Sequence, residues 1–280
     1  MLASIAEVLR DSWRIFSGRG ARFLGAAVAF YSLLSAAPLF LVTLHVVGAF
    51  FGRGRAEEAL FSGLGVWLAP EGVTAVRRLT HDFEAHGSQG VIGVLLVLYG
   101  ATRLFRAMRR ALNTLWGVDL AAVEEREPTV ARYAKRYGVA LLLAALVTVL
   151  VLAMLVIKLG FAVVARWGLT EAPRVMDAAE LGVNVLLAFM LFAALYALLP
   201  AVKVSARHVL FGAALSTILF AAGSYAVSAY LRHKAIGDLY EGAGALVLAV
   251  LWVYYSAQVF FLGASVTAAL REREARVYAG

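Results

Sequence analysis

The chain has 280 residues, of which 62% are apolar and 16% charged, with a mean hydropathy of +0.81, a formal charge of +8 and no cysteine. Soluble domains carry about 45–50% apolar and about 25% charged residues, so this composition is typical of a membrane protein and excludes a disordered chain. The lack of cysteine excludes a disulfide scaffold, thiol catalysis and iron–sulfur ligation.

Residues 1–20 are predicted to form an amphipathic helix. Apolar side chains recur there at helical spacing, at Leu2, Ile5, Leu9, Trp13 and Phe16. A helix of this kind lies in the membrane interface with its apolar face towards the lipid. We therefore predict an interfacial helix on the cytoplasmic leaflet.

Five apolar segments are long enough to cross a bilayer core, which takes roughly 20 helical residues. They cover residues 23–51, 137–165, 178–200, 209–231 and 243–270. The first run continues past the small residues at 35–37, so no cleaved signal peptide is expected. None of the five alternates as a barrel strand does, which predicts helices.

A sixth, shorter segment covers about 90–106 and continues as a helix with a basic face. That face consists of Arg103, Arg106, Arg109 and Arg110. Long arginine side chains can snorkel to the membrane surface and lengthen the apolar span. The predicted fold is therefore all-α: one polytopic membrane domain with six transmembrane helices and amphipathic flanking helices.

The distribution of Lys and Arg predicts the orientation of these spans. Residues 52–89 carry apolar side chains at helical spacing and are predicted to form an external cap, whereas 103–136 form a basic cytoplasmic segment. With six spans, 17 Lys and Arg lie on the side of both termini and nine on the other. Because positive residues concentrate in the cytoplasm, both termini are predicted to be cytoplasmic.

The chain lacks the motifs of the common catalytic sites. HExxH, the P-loop and GxSxG are all absent from the sequence. The one local cluster of His and acidic residues, His81 to His86, has its two imidazoles about 140° apart around a helix, so we interpret it as a solvated surface. We predict no enzymatic activity, no cofactor, no metal site and no nucleic-acid partner.

Polar residues inside the predicted spans are costly in lipid and are candidates for function. Six of them are candidates for a substrate path: Tyr31, Ser35, Asn184, Tyr225, Tyr255 and Gln258. Hydrogen bonding between helices is the alternative role for these residues. Pro38 removes a backbone hydrogen bond in the first span and is a candidate hinge, with a static kink as the alternative.

A series of short motifs resembles the YihY/BrkB-like inner-membrane protein family. They occur in the family's order along nearly the whole chain, at residues 26–38, 98–102, 110–117, 195–200, 207–212, 242–245 and 262–264. The resemblance implies a six-span inner-membrane protein with cytoplasmic termini. One position departs from the family pattern: Ser265 stands where a glutamate is common, which puts a proton-coupled role of that acid in doubt.

The resemblance implies several functions, because members are associated with serum resistance and with export of lipid or lipopolysaccharide. The leading hypothesis is a transporter or flippase-like exporter of a lipid or another amphiphile for the cell envelope. The basic face of Arg103, Arg106, Arg109 and Arg110 would then gather anionic lipid head groups. A scaffold for envelope assembly, acting with an envelope protein or as a homo-oligomer, is the alternative. The ribonuclease label carried by some members has no supporting motif here.

The topology can be tested with single cysteines, because the chain has none of its own. A cysteine replacing Ser62 should react with an impermeant maleimide in intact cells, since residues 52–89 are predicted to be external. A cysteine replacing Ala279 should react only after the cells are permeabilised. Labelling of both positions in intact cells would contradict six spans with cytoplasmic termini.

Overall fold

The computed structural model describes residues 2–65, 77, 89–125, 138, 149, 173–202, 204–233 and 243–279. These residues form eight α-helices and no strand. The helices are α1 (Leu2–Gly18), α2 (Ala21–Phe51), α3 (Arg53–Gly65), α4 (Gln89–Leu115), α5 (Leu120–Glu125), α6 (Pro173–Leu198), α7 (Ala206–His233) and α8 (Ala243–Ala279).

Three described helices are long and apolar enough to cross a membrane. The stretches are Leu181–Leu198 in α6, Ala206–Ala226 in α7 and Val250–Arg276 in α8, and α2 contains a shorter one, Ala21–Leu34. At 1.5 Å per residue, about 18 residues reach about 27 Å, close to the thickness of a bilayer core. The predicted all-helical membrane fold is confirmed, and the number of spans remains a prediction.

The helices can be compared with the predicted segments one by one. Helices α2, α6 and α7 start and end within about five residues of the segments predicted at 23–51, 178–200 and 209–231. Helices α4 and α8 run on past residues 106 and 270, to Leu115 and Ala279. The segment 137–165, apart from residues 138 and 149, and most of the predicted cap after residue 65 lie outside the described residues.

The apolar side chains of α1 differ in burial. Ile15 and Phe16 are 4% and 6% exposed, whereas Leu9 and Trp13 are each 55% exposed. Leu9, Trp13 and Phe16 lie within about 60° of one another by their spacing, and the rings of Trp13 and Phe16 stack with centroids 5.7 Å apart. Phe16 therefore packs on the protein at one margin of the predicted apolar face while Leu9 and Trp13 point outward, and the interfacial position of α1 remains a prediction.

The chain divides into two compact units. The first contains residues 1–21, 109–222 and 259–280, and the second contains residues 22–108 and 223–258. Helices α4, α7 and α8 contribute residues to both units.

The first unit is organised around a close contact between α7 and α8. A Cβ atom placed on Gly212 would lie 2.7 Å from the carbonyl oxygen of Gly263, and one placed on Gly263 would lie 2.7 Å from that of Gly212. Neither distance is compatible with a real side chain, so the two backbones meet because both residues are glycine. Small residues allow membrane helices to approach closely and gain van der Waals contact, which replaces the missing hydrophobic driving force.

Aromatic side chains fill the space beside this contact. The ring of Tyr196 in α6 stacks on that of Phe260 in α8 with centroids 5.2 Å apart, and Phe192 lies 6.4 Å from each ring. Phe220 of α7 meets Phe192 edge to face at 5.9 Å. Such ring pairs contribute about 0.5–1.5 kcal/mol each beyond the area they bury. The aromatic cluster therefore joins α6, α7 and α8.

The second unit contains a smaller apolar cluster between α2 and α3. Leu44 and Val47 of α2 are buried against Ala56, and Leu60 is partly buried beside them. Gly48 also lies close to α3, because a Cβ placed on it would be 3.5 Å from the Cα of Arg53. These contacts hold α3 against the end of α2.

The glycine contact predicts a large effect from one methyl group. Gly263→Ala should lower the free energy of unfolding by about 1–3 kcal/mol, because the added carbon overpacks a backbone contact. Gly182→Ala is the matched control in α6, where no atom lies within 4 Å of the new Cβ. It should leave stability unchanged or raise it by up to about 1 kcal/mol, since alanine favours helix. Thermal unfolding in detergent measures both, and equal melting temperatures would contradict the contact.

Candidate functional site

Gln258 of α8 is the candidate path residue with the most informative surroundings. Its Nε2 donates a hydrogen bond to the backbone carbonyl of Arg22 at 3.3 Å. Its Oε1 is buried and has no hydrogen-bond partner within the described part of the chain. Among the described residues, the amide is therefore only half satisfied. A buried amide oxygen without a partner costs roughly 1–3 kcal/mol of stability.

The position of the Gln258 amide depends on Gly25 in α2. A Cβ atom placed on Gly25 would collide with Nε2 of Gln258 and would lie 3.1 Å from Cδ. The amide therefore occupies the space that a side chain at position 25 would take. Gly25 and Arg22 together form the surface of α2 that Gln258 contacts.

Tyr255 lies three residues before Gln258 and contacts a different helix. A Cβ atom placed on Gly223 of α7 would lie 2.6 Å from Cζ of Tyr255, so the ring rests on that glycine. The Tyr255 ring also stacks on Trp252 at 5.8 Å. Tyr225, two residues after Gly223, is 72% exposed. Tyr255 therefore contacts α7 at Gly223.

The other candidate path residues are placed as follows. Tyr31 is half-buried in the second unit and meets Phe30 edge to face, with ring centroids 5.5 Å apart. Asn184 is half-buried in α6, in the first unit. The side chains of Ser35 and Pro38 lie outside the described residues. A common path lined by all six residues, and a hinge at Pro38, remain predictions.

The first unit contains a fully buried hydroxyl pair. The Tyr196 Oη and the Ser216 Oγ are 2.7 Å apart, and Oη also donates to the carbonyl oxygen of Phe260 at 2.6 Å. Ser216 Oγ lies 3.2 Å from the carbonyl oxygen of Val259. Each hydroxyl can donate one hydrogen bond and accept others, so the two groups pair with each other and with carbonyl oxygens of α8. This pair is suited to holding helices together.

Two further buried side chains bind loops to helices in the first unit. Asn113 is fully buried, and its Oδ1 accepts a hydrogen bond from the backbone N–H of Ala201 at 2.9 Å. The indole of Trp116 donates to the carbonyl oxygen of Ala264 at 3.0 Å. Asn113, Trp116 and Tyr196 were not predicted as site residues, although all three lie in motifs that carry the family resemblance. Their role depends on partners about 64 to 148 residues away, which local spacing does not reveal.

Ser265 is fully buried, and its Oγ donates to the carbonyl oxygen of Phe261 one turn earlier at 2.8 Å. The serine is therefore satisfied by its own helix and needs no partner from another one. A glutamate at this position would place a carboxyl group in a closely packed interior, where its ionised form is costly unless it is paired.

Ion pairs join α1 to the C-terminal part of α8. The Arg273 guanidinium donates to Asp11 Oδ2 through Nε at 2.9 Å and Nη2 at 2.8 Å, and to Glu7 Oε2 through Nη1 at 3.1 Å. The two bonds to one carboxylate are the strong, charge-assisted kind. They lower the pKa of the Asp11 carboxyl below its usual value, because hydrogen bonding from Arg273 favours the ionised form.

Arg19 joins α1, α4 and α8. Its Nη2 is 2.7 Å from Glu272 Oε1, and its Nη1 donates to the carbonyl oxygen of Leu115 at the end of α4. The guanidinium lies over Gly117, which has a φ of +64° and would place a Cβ 3.4 Å from Nη2. Glycine is therefore suited to this helix end both by its backbone conformation and by the close guanidinium.

The predicted basic face of α4 is largely exposed. Arg103, Arg106 and Arg110 are exposed, whereas Arg109 is half-buried. Arg103 lies over the ring of Tyr99, with Cζ 5.0 Å from the ring centroid. Residues 103, 106 and 110 share one side of a helix by their spacing. Their binding to lipid head groups remains a prediction.

These helices, with apolar stretches of membrane length and buried polar groups paired within and between helices, define an α-helical integral membrane protein. Within the described residues, no group of three or more His, Asp and Glu side chains is placed to hold a metal ion. The family follows from sequence comparison. Residues 12–279 match the model of the Virulence factor BrkB family, and the chain belongs to that family. The predicted family resemblance is confirmed.

Several relatives are similar over most of the chain. A UPF0761 membrane protein of Alteromonas mediterranea is 28% identical over an alignment of 287 positions, which covers 96% of this chain and 90% of the relative. One from Vibrio campbellii is 27% identical, covering 88% of this chain and 76% of the relative. One from Alkalilimnicola ehrlichii is 27% identical over 88% of this chain, which spans 54% of that longer protein. No solved structure matches the chain.

The Arg273 ion pairs predict a dependence of stability on pH. Because the folded pKa of Asp11 lies below the ordinary 3.8, the stabilisation is fully present above that pH and is lost as the pH falls through the lower, folded value. Arg273→Gln should therefore lower the melting temperature at pH 7, and its difference from wild type should shrink below about pH 3.8.

The matched control is Arg276→Gln. This arginine is 64% exposed, and its nearest acid, Glu272, is 3.9 Å away. Exposed ion pairs of this kind contribute little to the free energy of unfolding, so the control should melt close to wild type at every pH. A difference between Arg273→Gln and wild type that stays constant from pH 7 to pH 3 would show that the pairing with Asp11 is not responsible.

Proposed function

We propose that this chain is a transporter or flippase-like exporter of a lipid or another amphiphile for the cell envelope. In this proposal it lies in the bacterial inner membrane, with six spans and both termini in the cytoplasm. The single observation that carries the proposal is the half-satisfied amide of Gln258. Its Oε1 is buried without a partner in the described residues, inside a helix of membrane length.

The argument rests on the cost of that arrangement. A polar side chain whose only role is to hold helices together gains most when all of its polar atoms are paired, as the hydroxyl groups of Tyr196 and Ser216 are. Among the described residues, Gln258 instead keeps an unpaired acceptor beside Gly25. An acceptor in this position can bind a hydroxyl or ammonium group of a passing amphiphile, which restores the missing hydrogen bond.

The charges of α4 support the same proposal. Arg103, Arg106 and Arg110 are exposed on one helix, next to the predicted membrane segment. Each basic residue close to an anionic leaflet contributes about 1 kcal/mol of attraction. The basic face would concentrate anionic head groups, and Gln258 would act on the lipid once it has entered the protein.

The test is a lipid-translocation assay in proteoliposomes with a fluorescent phospholipid and a membrane-impermeant quencher. Wild-type protein should expose inner-leaflet label faster than protein-free vesicles. Gln258→Leu should slow this by about tenfold, which corresponds to about 1.4 kcal/mol on the barrier. Its stability should change little, since interhelical hydrogen bonds in membranes average about 0.6 kcal/mol.

The matched control is Ser256→Ala in the same helix. Ser256 Oγ donates to the carbonyl oxygen of Trp252 in its own helix at 2.8 Å, so its removal leaves no unpaired donor. Translocation should continue at the wild-type rate in this variant. Wild-type protein that moves no lipid faster than empty vesicles would contradict phospholipid transport and favour the scaffold. A Gln258→Leu variant with full activity would remove Gln258 from the path.

A further inference from the structure

Helix α1 presents one continuous exposed face. Glu7 and Gly18, which border this face on its basic side, are also exposed. The face itself consists of Ala6, Leu9, Arg10, Trp13, Arg14 and Ser17. At 100° per residue these positions cover about 140° of the helix surface. The exposed face of α1 is defined here by these six residues.

The exposed face of α1 is apolar along one edge and basic along the other. Leu9 and Trp13 lie on the apolar edge, and both are 55% exposed. Arg10 and Arg14 lie on the basic edge, and the Arg14 side chain is 66% exposed. Tryptophan is enriched at membrane interfaces, and arginine beside it is attracted to anionic head groups. The two edges together match the chemistry of a lipid surface.

The acidic residues of α1 are turned towards Arg273. Asp11 Oδ2 is 2.8 Å from Arg273 Nη2 and Glu7 Oε2 is 3.1 Å from Nη1, whereas Arg14 is 3.7 Å from Asp11. These two arginines balance the two acids, and Arg10 on the exposed face makes the local charge net positive. By pairing with both acids, Arg273 limits their repulsion of an anionic surface.

The buried side of α1 is held in place by packing. Ser12, Ile15 and Phe16 are 2%, 4% and 6% exposed. Ser12 Oγ is paired within the helix, with the carbonyl oxygen of Val8 at 2.6 Å. Because the buried face is occupied by protein, the helix cannot rotate Leu9 and Trp13 inward without exposing Ile15 and Phe16.

We infer that the exposed face of α1 is a docking surface for an anionic lipid leaflet. Leu9 and Trp13 enter the head-group region, and Arg10 and Arg14 contact lipid phosphates. The inference does not depend on transport, since a scaffold would dock in the same way. It differs from the interfacial helix predicted from sequence in the residues that meet the lipid, because Phe16 is excluded and two arginines are included.

The experiment uses the full chain with a single spin label on a cysteine replacing Ala6, at the N-terminal end of this face. The protein is placed in nanodiscs of phosphatidylcholine alone or with one third phosphatidylglycerol. Accessibility of the label to oxygen and to a water-soluble nickel chelate reports its depth. The label should be deeper in the anionic nanodiscs. Arg10→Gln with Arg14→Gln should abolish this difference, since two arginines contribute roughly 25-fold to the docking equilibrium.

A charge-matched control separates local docking from the total charge of the protein. Arg53→Gln with Arg55→Gln removes two exposed arginines of α3 and should leave the label as deep as before. Trp13→Ser should make the label shallower in both lipids, because the apolar edge acts without charge. Equal depth in the two lipids for the wild type, or equal effects of the two arginine pairs, would overturn the inference.

Discussion

The contact between Gly212 of α7 and Gly263 of α8 is the constraint on which the first unit depends. Two backbones that approach this closely leave no room for a side chain at either position. The contact aligns α7 with α8 so that Ser216 and Tyr196 reach the carbonyl oxygens of Val259 and Phe260. In a membrane, where burial of apolar surface between helices gains little, such close packing and hydrogen bonding stabilise the fold.

Helix α8 takes part in several further contacts of the first unit. Its Ala264 carbonyl oxygen accepts the Trp116 indole, and its C-terminal part carries Glu272 and Arg273, which bind Arg19 and the acids of α1. A displacement of α8 would break these contacts together. Nearly every buried polar side chain described in this unit has a partner, which is the arrangement expected of a rigid framework.

Each unit has one buried polar atom without a hydrogen-bond partner among the described residues: Nδ1 of His208 in the first unit and Oε1 of Gln258 in the second. Gln258 uses its N–H on the Arg22 carbonyl oxygen and leaves its Oε1 without a partner among the described residues. Sequence reasoning singled out Gln258 because an amide in an apolar helix is costly. Gly25 makes room for Gln258, and Gly223 makes room for Tyr255. Sequence reasoning did not identify Gly25, because a single glycine in an apolar run has no distinguishing local pattern.

The sequence by itself determined the class of the protein and the positions of most described helices, because apolar run length and helical periodicity are local properties that lipid selects directly. It also identified the family through short motifs in a consistent order. Tertiary structure alone decided which face of α1 is buried, and that Asn113, Trp116, Tyr196 and Arg273 hold separate segments together. The spacing of Leu9, Trp13 and Phe16 is the same whether one of them meets protein or lipid. Only the packing of a helix that is distant along the chain decides which of these side chains is buried in protein.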